Sequence, residues 1–433
     1  MIATIVIAIT TFILVALSIL FFPHFKIKNI QIDTYWIVAL MGALTLILAQ
    51  LVPFQTIIEQ LTASSSINPL KILILFFSMT ILSIFLDEVG LFRYLAKKAV
   101  KFAKKSQISL FIILYLLTSI LTIFTSNDIV ILTLTPFICF FCKNTKINPI
   151  PFLVAEFAAA NTWSMMLIIG NPTNIYLATY QNISFLDYFK VMFLPTMAAG
   201  VVEIAIIILI FFKQLKKPLT VVEDDYHIES KVDLIVGLAH LGVCLIFLVI
   251  SSYISWEMWL ISFICASSLI LCVFIIRLVT KKNWSYLGSS FKRLPYQLIP
   301  FVLSMFVIVI ALNYQGVSQE IAKFLGNQNT IWTYGLSSYV ADNLINNIPM
   351  SILFSTFPSG LEGDSLSGAI YATIIGSNIG AFLTSIGALA GIMFSSLLRE
   401  YHVNYGFKEF VKYGSLVSVP TIAVALLVLQ FVI

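Results

Sequence analysis

Few residues in this chain could do chemistry, and they are grouped. Ser126-Asn127-Asp128 stands inside a long apolar stretch and is followed by Pro136. Asn161-Thr162 is followed by Gly170-Asn171-Pro172-Thr173-Asn174. Farther along come Asp342-Asn343, Asn346-Asn347 with Pro349, Ser377-Asn378, then Thr384 and Gly387. Amides and hydroxyls inside apolar runs need protein partners, because lipid offers none. Singly, such residues usually join helix to helix. Clustered with Pro and Gly, they mark interrupted helices. Freed carbonyls there can hold a cation, and freed N–H groups can hold an anion or a neutral oxyacid. Pro136, Pro172 and Pro349 are the expected breaks. The candidate substrate-binding residues are Ser126, Asn127, Asn161, Thr162, Asn171, Thr173, Asn174, Asn343, Asn346, Asn347, Ser377, Asn378 and Thr384.

Acids in such runs are costly and mark function by default. Asp128 could carry a coupling proton or ligate Na⁺. Asp342 reads as its approximate counterpart in the second half, and Glu156 is a third ion-coupling candidate. Glu203 has no motif around it and reads as structural, as does the lone His240. Cys139 and Cys142 form a C-x-x-C on an apolar stretch and read as small buried hydrophobes, not as a thiol site. No nucleophile–base set and no metal-ligand spacing appears. The expectation is therefore a protein that is not an enzyme and uses no cofactor or metal.

The elements that must position these residues are membrane helices. The 433 residues are 60% hydrophobic and only 10% charged, with mean hydropathy +1.00. Soluble domains carry about 25% charged residues. Apolar runs lie at about 2–22, 35–53, 70–87, 108–142, 151–180, 188–212, 233–252, 256–276, 297–313, 331–357, 367–398 and 412–433. Roughly 20 apolar residues cross a bilayer, so several runs exceed one span. The run 2–22 lacks a basic n-region and a small-residue cleavage site, and reads as a first membrane helix rather than a signal peptide.

The net charge of +5 sits in short loops, which sets orientation and does not indicate nucleic-acid binding. Arg93, Lys97, Lys98, Lys101, Lys104 and Lys105 in 88–107 should face the cytoplasm, as should Arg277, Lys281, Lys282, Lys292 and Arg293 in 277–293. Segment 213–232, mixing lysines with Glu223, Asp224, Asp225 and Glu229, reads as a cytoplasmic linker between halves 1–212 and 233–433. The N-terminus would then lie outside. In 91–105 the apolar residues share one helical face opposite the lysines, the pattern of a helix lying on a membrane surface.

The two halves repeat. Asn127 to Asn161 is 161 − 127 = 34 positions, and Asn343 to Asn378 is 378 − 343 = 35. Asn161 to Gly170 and Asn378 to Gly387 are both 9. Leu86-Asp87-Glu88-Val89-Gly90 corresponds to Leu312-Asn313-Tyr314-Gln315-Gly316, and an amphipathic stretch follows each. The first stretch is strongly basic, whereas Lys323 is the only basic residue in 317–330. The flanks should thus lie on opposite faces, as in an inverted-topology repeat.

These motifs resemble the ion transporter superfamily that holds arsenite efflux permeases, sodium–dicarboxylate symporters and NhaD-type sodium–proton antiporters. The likeness to arsenite/antimonite permeases rests on 86–92, on Ser126-Asn127-Asp128 through Pro136, on Asn346-Asn347-Ile348-Pro349 and on 376–390. The resemblance implies an all-α polytopic fold of two inverted repeats in a bacterial plasma membrane. It implies re-entrant hairpins near 151–170 and 367–387, with broken helices near 108–142 and 331–357. The implied function is secondary active transport of a small anion or oxyacid, with proton-coupled arsenite or antimonite efflux first. The alternatives are a sodium-coupled dicarboxylate or sulfate symporter and a sodium–proton antiporter. A homodimer and a partner ATPase are implied as possible partners, and H⁺ or Na⁺ as coupling ion. The chain departs from arsenite permeases by lacking their acid near Ala159-Asn161-Thr162 and by Asn378 in place of Asp. Its Gly170-Asn171-Pro172-Thr173-Asn174 is closer to other anion permeases of the superfamily.

Overall fold

Apolar runs longer than one span must be single long helices or be cut, and here the cuts fall at the polar clusters. The computed structural model describes residues 1–22, 24–27, 30–62, 68–103, 106–219, 230–280 and 285–433. Lys104, Lys105, Lys281, Lys282 and the acidic part of the expected linker (Glu223, Asp224, Asp225 and Glu229) lie outside the described residues.

The first ten helices are α1 (Ile2–Phe21), α2 (Tyr35–Leu48), α3 (Phe54–Thr62), α4 (Pro69–Glu88), α5 (Leu91–Phe102), α6 (Gln107–Phe124), α7 (Asn127–Thr145), α8 (Ile150–Ser164), α9 (Pro172–Tyr180) and α10 (Phe185–Leu215). The next ten are α11 (Lys231–Ile254), α12 (Met258–Thr280), α13 (Ser285–Lys292), α14 (Leu298–Tyr314), α15 (Val317–Leu325), α16 (Thr330–Ile345), α17 (Asn347–Phe354), α18 (Gly363–Gly380), α19 (Leu389–Glu400) and α20 (Phe407–Val432). The all-α expectation is interrupted once, by a short antiparallel pair, β1 (His24–Ile27) with β2 (Ile30–Asp33), between α1 and α2. Eight of the described helices are long and apolar enough to cross a bilayer. Their outward side chains, such as Ile13, Leu209, Ile235 and Leu271, are exposed apolar groups suited to lipid.

The second ten helices repeat the first ten in order. Hairpin α1–α2 matches α11–α12, and α2 packs on α14 while α12 packs on α4, so each half's leading hairpin supports the other half. A glycine with positive φ turns the chain from α4 into amphipathic α5 (Gly90, φ 90°) and from α14 into α15 (Gly316, φ 76°). The bend from α14 to α15 is 80°. Helices α10 and α20 pack against each other, and each also holds its own half's cut helices.

The faces follow from cross-links. Arg293 pairs with Asp87 (2.7 Å) and Glu88 (2.6 Å), which puts the two basic segments on one face, as expected. The opposite face holds the ion pair Lys71–Glu257 (2.7 Å) and the bond from Gln315 Nε2 to the Leu51 carbonyl (2.9 Å). Met1 lies there too, its ammonium donating to Gln315.

These faces correct the assignment of hairpins and broken helices. Gln107 Nε2 donates to the Pro218 carbonyl (3.0 Å), and Asn148 Nδ2 donates to Gln214 (2.9 Å). Both ends of α6–α7 therefore meet the same end of α10, and this pair is a re-entrant hairpin with its tip at Thr125–Asn127. Pair α8–α9 starts beside Gln214 and ends before Phe185, the other end of α10, so it is the broken span. The second half does the same. Trp332 at the start of α16 donates to Gln430 (3.1 Å), and Gln181 Nε2 reaches the Ser355 carbonyl (3.5 Å) just past α17. Thus α16–α17 is the opposite hairpin and α18–α19 the second broken span. The expected ranges, hairpins near 151–170 and 367–387 with broken helices near 108–142 and 331–357, are interchanged. Polarity marks a break in a helix, but not whether the chain then continues or returns.

Two further expectations change. Pro136 sits inside α7 without ending it, and the break precedes Asn127. Pro172 and Pro349 instead stand in the first turns of α9 and α17, where a missing N–H costs little. Asp342 is not the counterpart of Asp128. Asp342 is on the entering arm of its hairpin, α16, and Asp128 is on the returning arm, α7.

Candidate asparagine-lined transport site

The breaks are built by side chains that replace helical hydrogen bonds. Asn171, with extended backbone, caps α9 by accepting the Thr173 N–H (3.2 Å). Asn174 Nδ2 donates back to the carbonyls of Ser164 (2.8 Å) and Leu167 (3.2 Å), closing the gap after α8. Gly170 is obligatory there, since a Cβ would lie 2.2 Å from the Ser164 carbonyl oxygen. The second broken span crosses α16 closely. Gly376-Ser-Asn-Ile-Gly380 is a G-x-x-x-G face, and a Cβ on Gly376 would lie 2.0 Å from Ser338 Oγ.

Asn378 is the centre of the cluster. Its Oδ1 accepts from Ser164 Oγ (2.8 Å) and Asn171 Nδ2 (3.0 Å), and its Nδ2 donates to Asn174 Oδ1 (2.7 Å). One side chain of the second half thus binds three of the first, at the point where the two broken spans meet. Asn161 and Asn378 hold equivalent places. Each donates to the carbonyl four residues back, Phe157 or Ile374, at 2.8 Å.

Each hairpin tip reaches the broken span of its own half. Asn127 Nδ2 donates to Asn161 Oδ1 (3.2 Å). Asn346, at φ 72°, donates to the Ile386 carbonyl (2.9 Å), and the Asn347 N–H donates to the Gly387 carbonyl (2.9 Å). Thr384 donates to Asn343 Oδ1 (2.7 Å), while Asn343 Nδ2 reaches the Gly380 carbonyl (3.1 Å). Four buried atoms around these breaks have no partner among the described residues: Ser126 Oγ, Thr173 Oγ1, Asn347 Oδ1 and Ser377 Oγ. Such atoms are rare in folded proteins and suit a bound ion or solute.

Not every expected residue joins this cluster. Glu156 is buried between α7 and α8, where Thr135 Oγ1 lies 2.9 and 3.0 Å from its two oxygens. Thr162 turns away and donates to Glu203. Glu203 was unmarked by any motif, yet it is fully buried and also accepts from Tyr115 (2.9 Å), whose hydroxyl accepts from Trp163 (3.0 Å). Ser164, likewise unmarked, belongs to the cluster. The available signal for Glu203 was its type alone, an acid in the middle of an apolar 31-residue helix.

Asp128 is half-buried beside a cavity of about 450 Å³. Lys292, Arg293 and Arg399 line this cavity from the basic face, and Ser126 and Asp128 of the first tip line it from within. On the opposite face a cavity of about 270 Å³ is lined by Lys71, Thr179, Asn182 and Glu257. Between it and the second tip runs an apolar seam with only about 30 Å³ of space, formed by Ile72, Phe76, Tyr176, Val302, Ile348 and Ile352. The first tip is therefore reached by a cavity from the basic face, while the second tip is covered by this apolar seam.

The sequence model of a family described as citrate transporters matches residues 33–370. The arsenical pump membrane protein of Escherichia coli K12 is 25% identical over 381 residues, covering 81% of this chain and 84% of its own. An uncharacterized transporter of Synechocystis is 24% identical over 421 residues, covering 90% of each. The crystal structure of the Alcanivorax borkumensis YdaH transporter superposes with a TM-score of 0.57 at 13% identity, over 99% of this chain and 97% of that one. At that identity the likeness bears on the fold alone.

Proposed function

The chain belongs to the citrate transporter family, and we propose that this membrane transporter carries a small carboxylate anion together with sodium. The observation that carries the reading is the cavity lined by Lys292, Arg293 and Arg399 that reaches Ser126, beside Asn127, at the first tip, with Asp33 and Asp128 also in its wall. Of these cations Arg293 is paired with Asp87 and Glu88, so Lys292 and Arg399 are the ones that would raise the local concentration of an anion. Farther in, no Lys, Arg or His takes part in the asparagine cluster, so the anion would be bound by amides, hydroxyls and helix starts. Oxygens without donors, Ser126 Oγ and Asn347 Oδ1 among them, suit Na⁺. In this reading 1–212 and 233–433 are the two repeats, joined by 213–232, and the cut helices move against α4, α14 and the leading hairpins. Asn127, Asn161, Asn171, Asn174 and Asn378 bind substrate.

Thermal unfolding of the purified protein with citrate, succinate, sulfate, arsenite or antimonite, each with and without Na⁺, tests this. A ligand at 100 times its Kd stabilises by about 2.7 kcal/mol. Stabilisation by a carboxylate that requires Na⁺ supports the reading. A response to arsenite or antimonite without Na⁺ replaces it with the second reading, oxyacid efflux. That reading draws on the names of relatives called arsenical pump membrane proteins. It brings with it proton coupling and a partner ATPase.

A further inference from the structure

Four acids are buried among the described residues: Glu156, Glu203, Asp233 and Asp342. Three have donors. Glu156 has Thr135, Glu203 has Tyr115 and Thr162, and Asp233 has Arg277. Asp342 has none. Both of its carboxylate oxygens are buried without a hydrogen-bond partner, and the residue is 0% exposed. It faces α18, where Oδ2 would lie 3.0 Å from a Cβ placed on Gly380.

The elements packed on α16 offer no countercharge. Helices α1 and α17 carry no charged residue. The acid of α18, Asp364, and the charged residues of α20, Lys408, Glu409 and Lys412, are exposed near the starts of those helices. The titratable neighbour is Tyr339, one turn back on α16, whose hydroxyl is 2.6 Å from Ser418 of α20. An ionised carboxylate in such a place is strongly destabilising unless a cation accompanies it. Gly380 opposite presents only backbone to the carboxylate, packed closely against it.

We propose that Asp342, on α16 against Gly380 of α18, binds a monovalent cation, a proton or Na⁺, as the coupling ion of transport. The position connects the ion to the solute. Asn346 at the hairpin tip donates its N–H to the Asp342 carbonyl (2.9 Å). The neighbouring Asn343 holds the Gly380 carbonyl and Thr384, two residues beyond Asn378 and at the break that follows. A cation gained or lost here therefore acts on the second tip through the Asn346 N–H and on the second broken span through Asn343. This rests on the transporter reading above but not on the identity of the anion.

The test needs no substrate. Wild type and Asp342→Asn are melted across a Na⁺ series, with choline keeping ionic strength constant, and across a pH series without Na⁺. Stabilisation by Na⁺ in the wild type and its loss in the variant identifies Na⁺. A pH-dependent melting temperature that flattens in the variant, without a Na⁺ response, identifies the proton. Should the variant titrate as the wild type does in both series, the proposal is overturned. Should the variant fail to fold, labelling of wild-type protein with dicyclohexylcarbodiimide decides. Mass spectrometry finding the adduct on the Asp342 peptide, or its suppression by Na⁺, supports the site. Labelling confined to other acids in Na⁺-free buffer overturns it. Cation responses that persist while no carboxylate binds would remove the anion assignment and leave Asp342 in place.

Discussion

Replacing Asn378 by Ala should uncouple the two halves. The side chain accepts from Ser164 and Asn171 and donates to Asn174. Ser164 keeps a second partner, the Asn161 carbonyl at 2.6 Å. Asn171 Nδ2 loses its acceptor, Asn378 Oδ1, and Asn174 Oδ1 loses its donor, Asn378 Nδ2. A stranded buried group costs about 1–3 kcal/mol, and side-chain bonds inside membranes average about 0.6 kcal/mol. With two groups stranded, the expected loss is about 2 kcal/mol, or about 30-fold in an equilibrium constant. Unfolding of the purified variant reads the stability, and uptake into proteoliposomes of the anion that stabilises the wild type reads function. A double-mutant cycle with Asn174→Ala should return a coupling of about 1 kcal/mol, because the partners touch. If Asn378→Ala unfolds within about 0.5 kcal/mol of wild type and transports at the same rate, the asparagine cluster is not where the halves are joined, and the reasoning fails.

Gly170→Ala should cost about 1–3 kcal/mol by forcing a methyl group onto the Ser164 carbonyl. Gly242→Ala, with nothing within 4 Å of its new Cβ, should be neutral or slightly stabilising in the same melt. Arg293→Ala leaves the Asp87 carboxylate, whose side chain is 7% exposed, without its countercharge, so it should lower stability by about 1–3 kcal/mol in the same melt as well as slow anion uptake. Single cysteines at Ser106 and Asn148 should react with an impermeant maleimide from one face, and those at Gln181 and Gln328 from the other. Opposite-face labelling of positions 106 and 148 would exclude α6–α7 as a re-entrant hairpin.

Much of the architecture was readable because lipid makes the rules strict. Apolar runs had to be helices, and the basic segments now joined through Arg293 had to share a face. The equal steps from Asn161 to Gly170 and from Asn378 to Gly387 fall at the two corresponding breaks. Asn343, on the entering arm α16, is not the counterpart of Asn127, which opens the returning arm α7. What the residues could not convey was direction after a break. Asn127 and Asn171 both start helices after interruptions, yet one turns the chain back and the other lets it continue. That difference is fixed by distant partners such as Pro218 and Gln214, which no local pattern announces. The site was legible as a set of residues, but its wiring was not. Thr162 looked equivalent to its asparagine neighbour, yet it serves Glu203.

The two cavities differ although the helices around them correspond. One reaches the first tip, and the other stops at the seam of Ile72, Tyr176 and Ile348. Each half is thus a template for the arrangement that the other half lacks. Exchanging the two arrangements would floor the opposite cavity with Asn346 and Asn347 and seal Ser126 away. Both end states are then written in one chain, and the balance between them falls to the side chains that break the pseudo-symmetry. Arg293 and Arg399 guard one mouth, and Lys71 with Glu257 guards the other. Substitutions at these rims should therefore tilt the direction in which the resting molecule faces while leaving the asparagine cluster untouched.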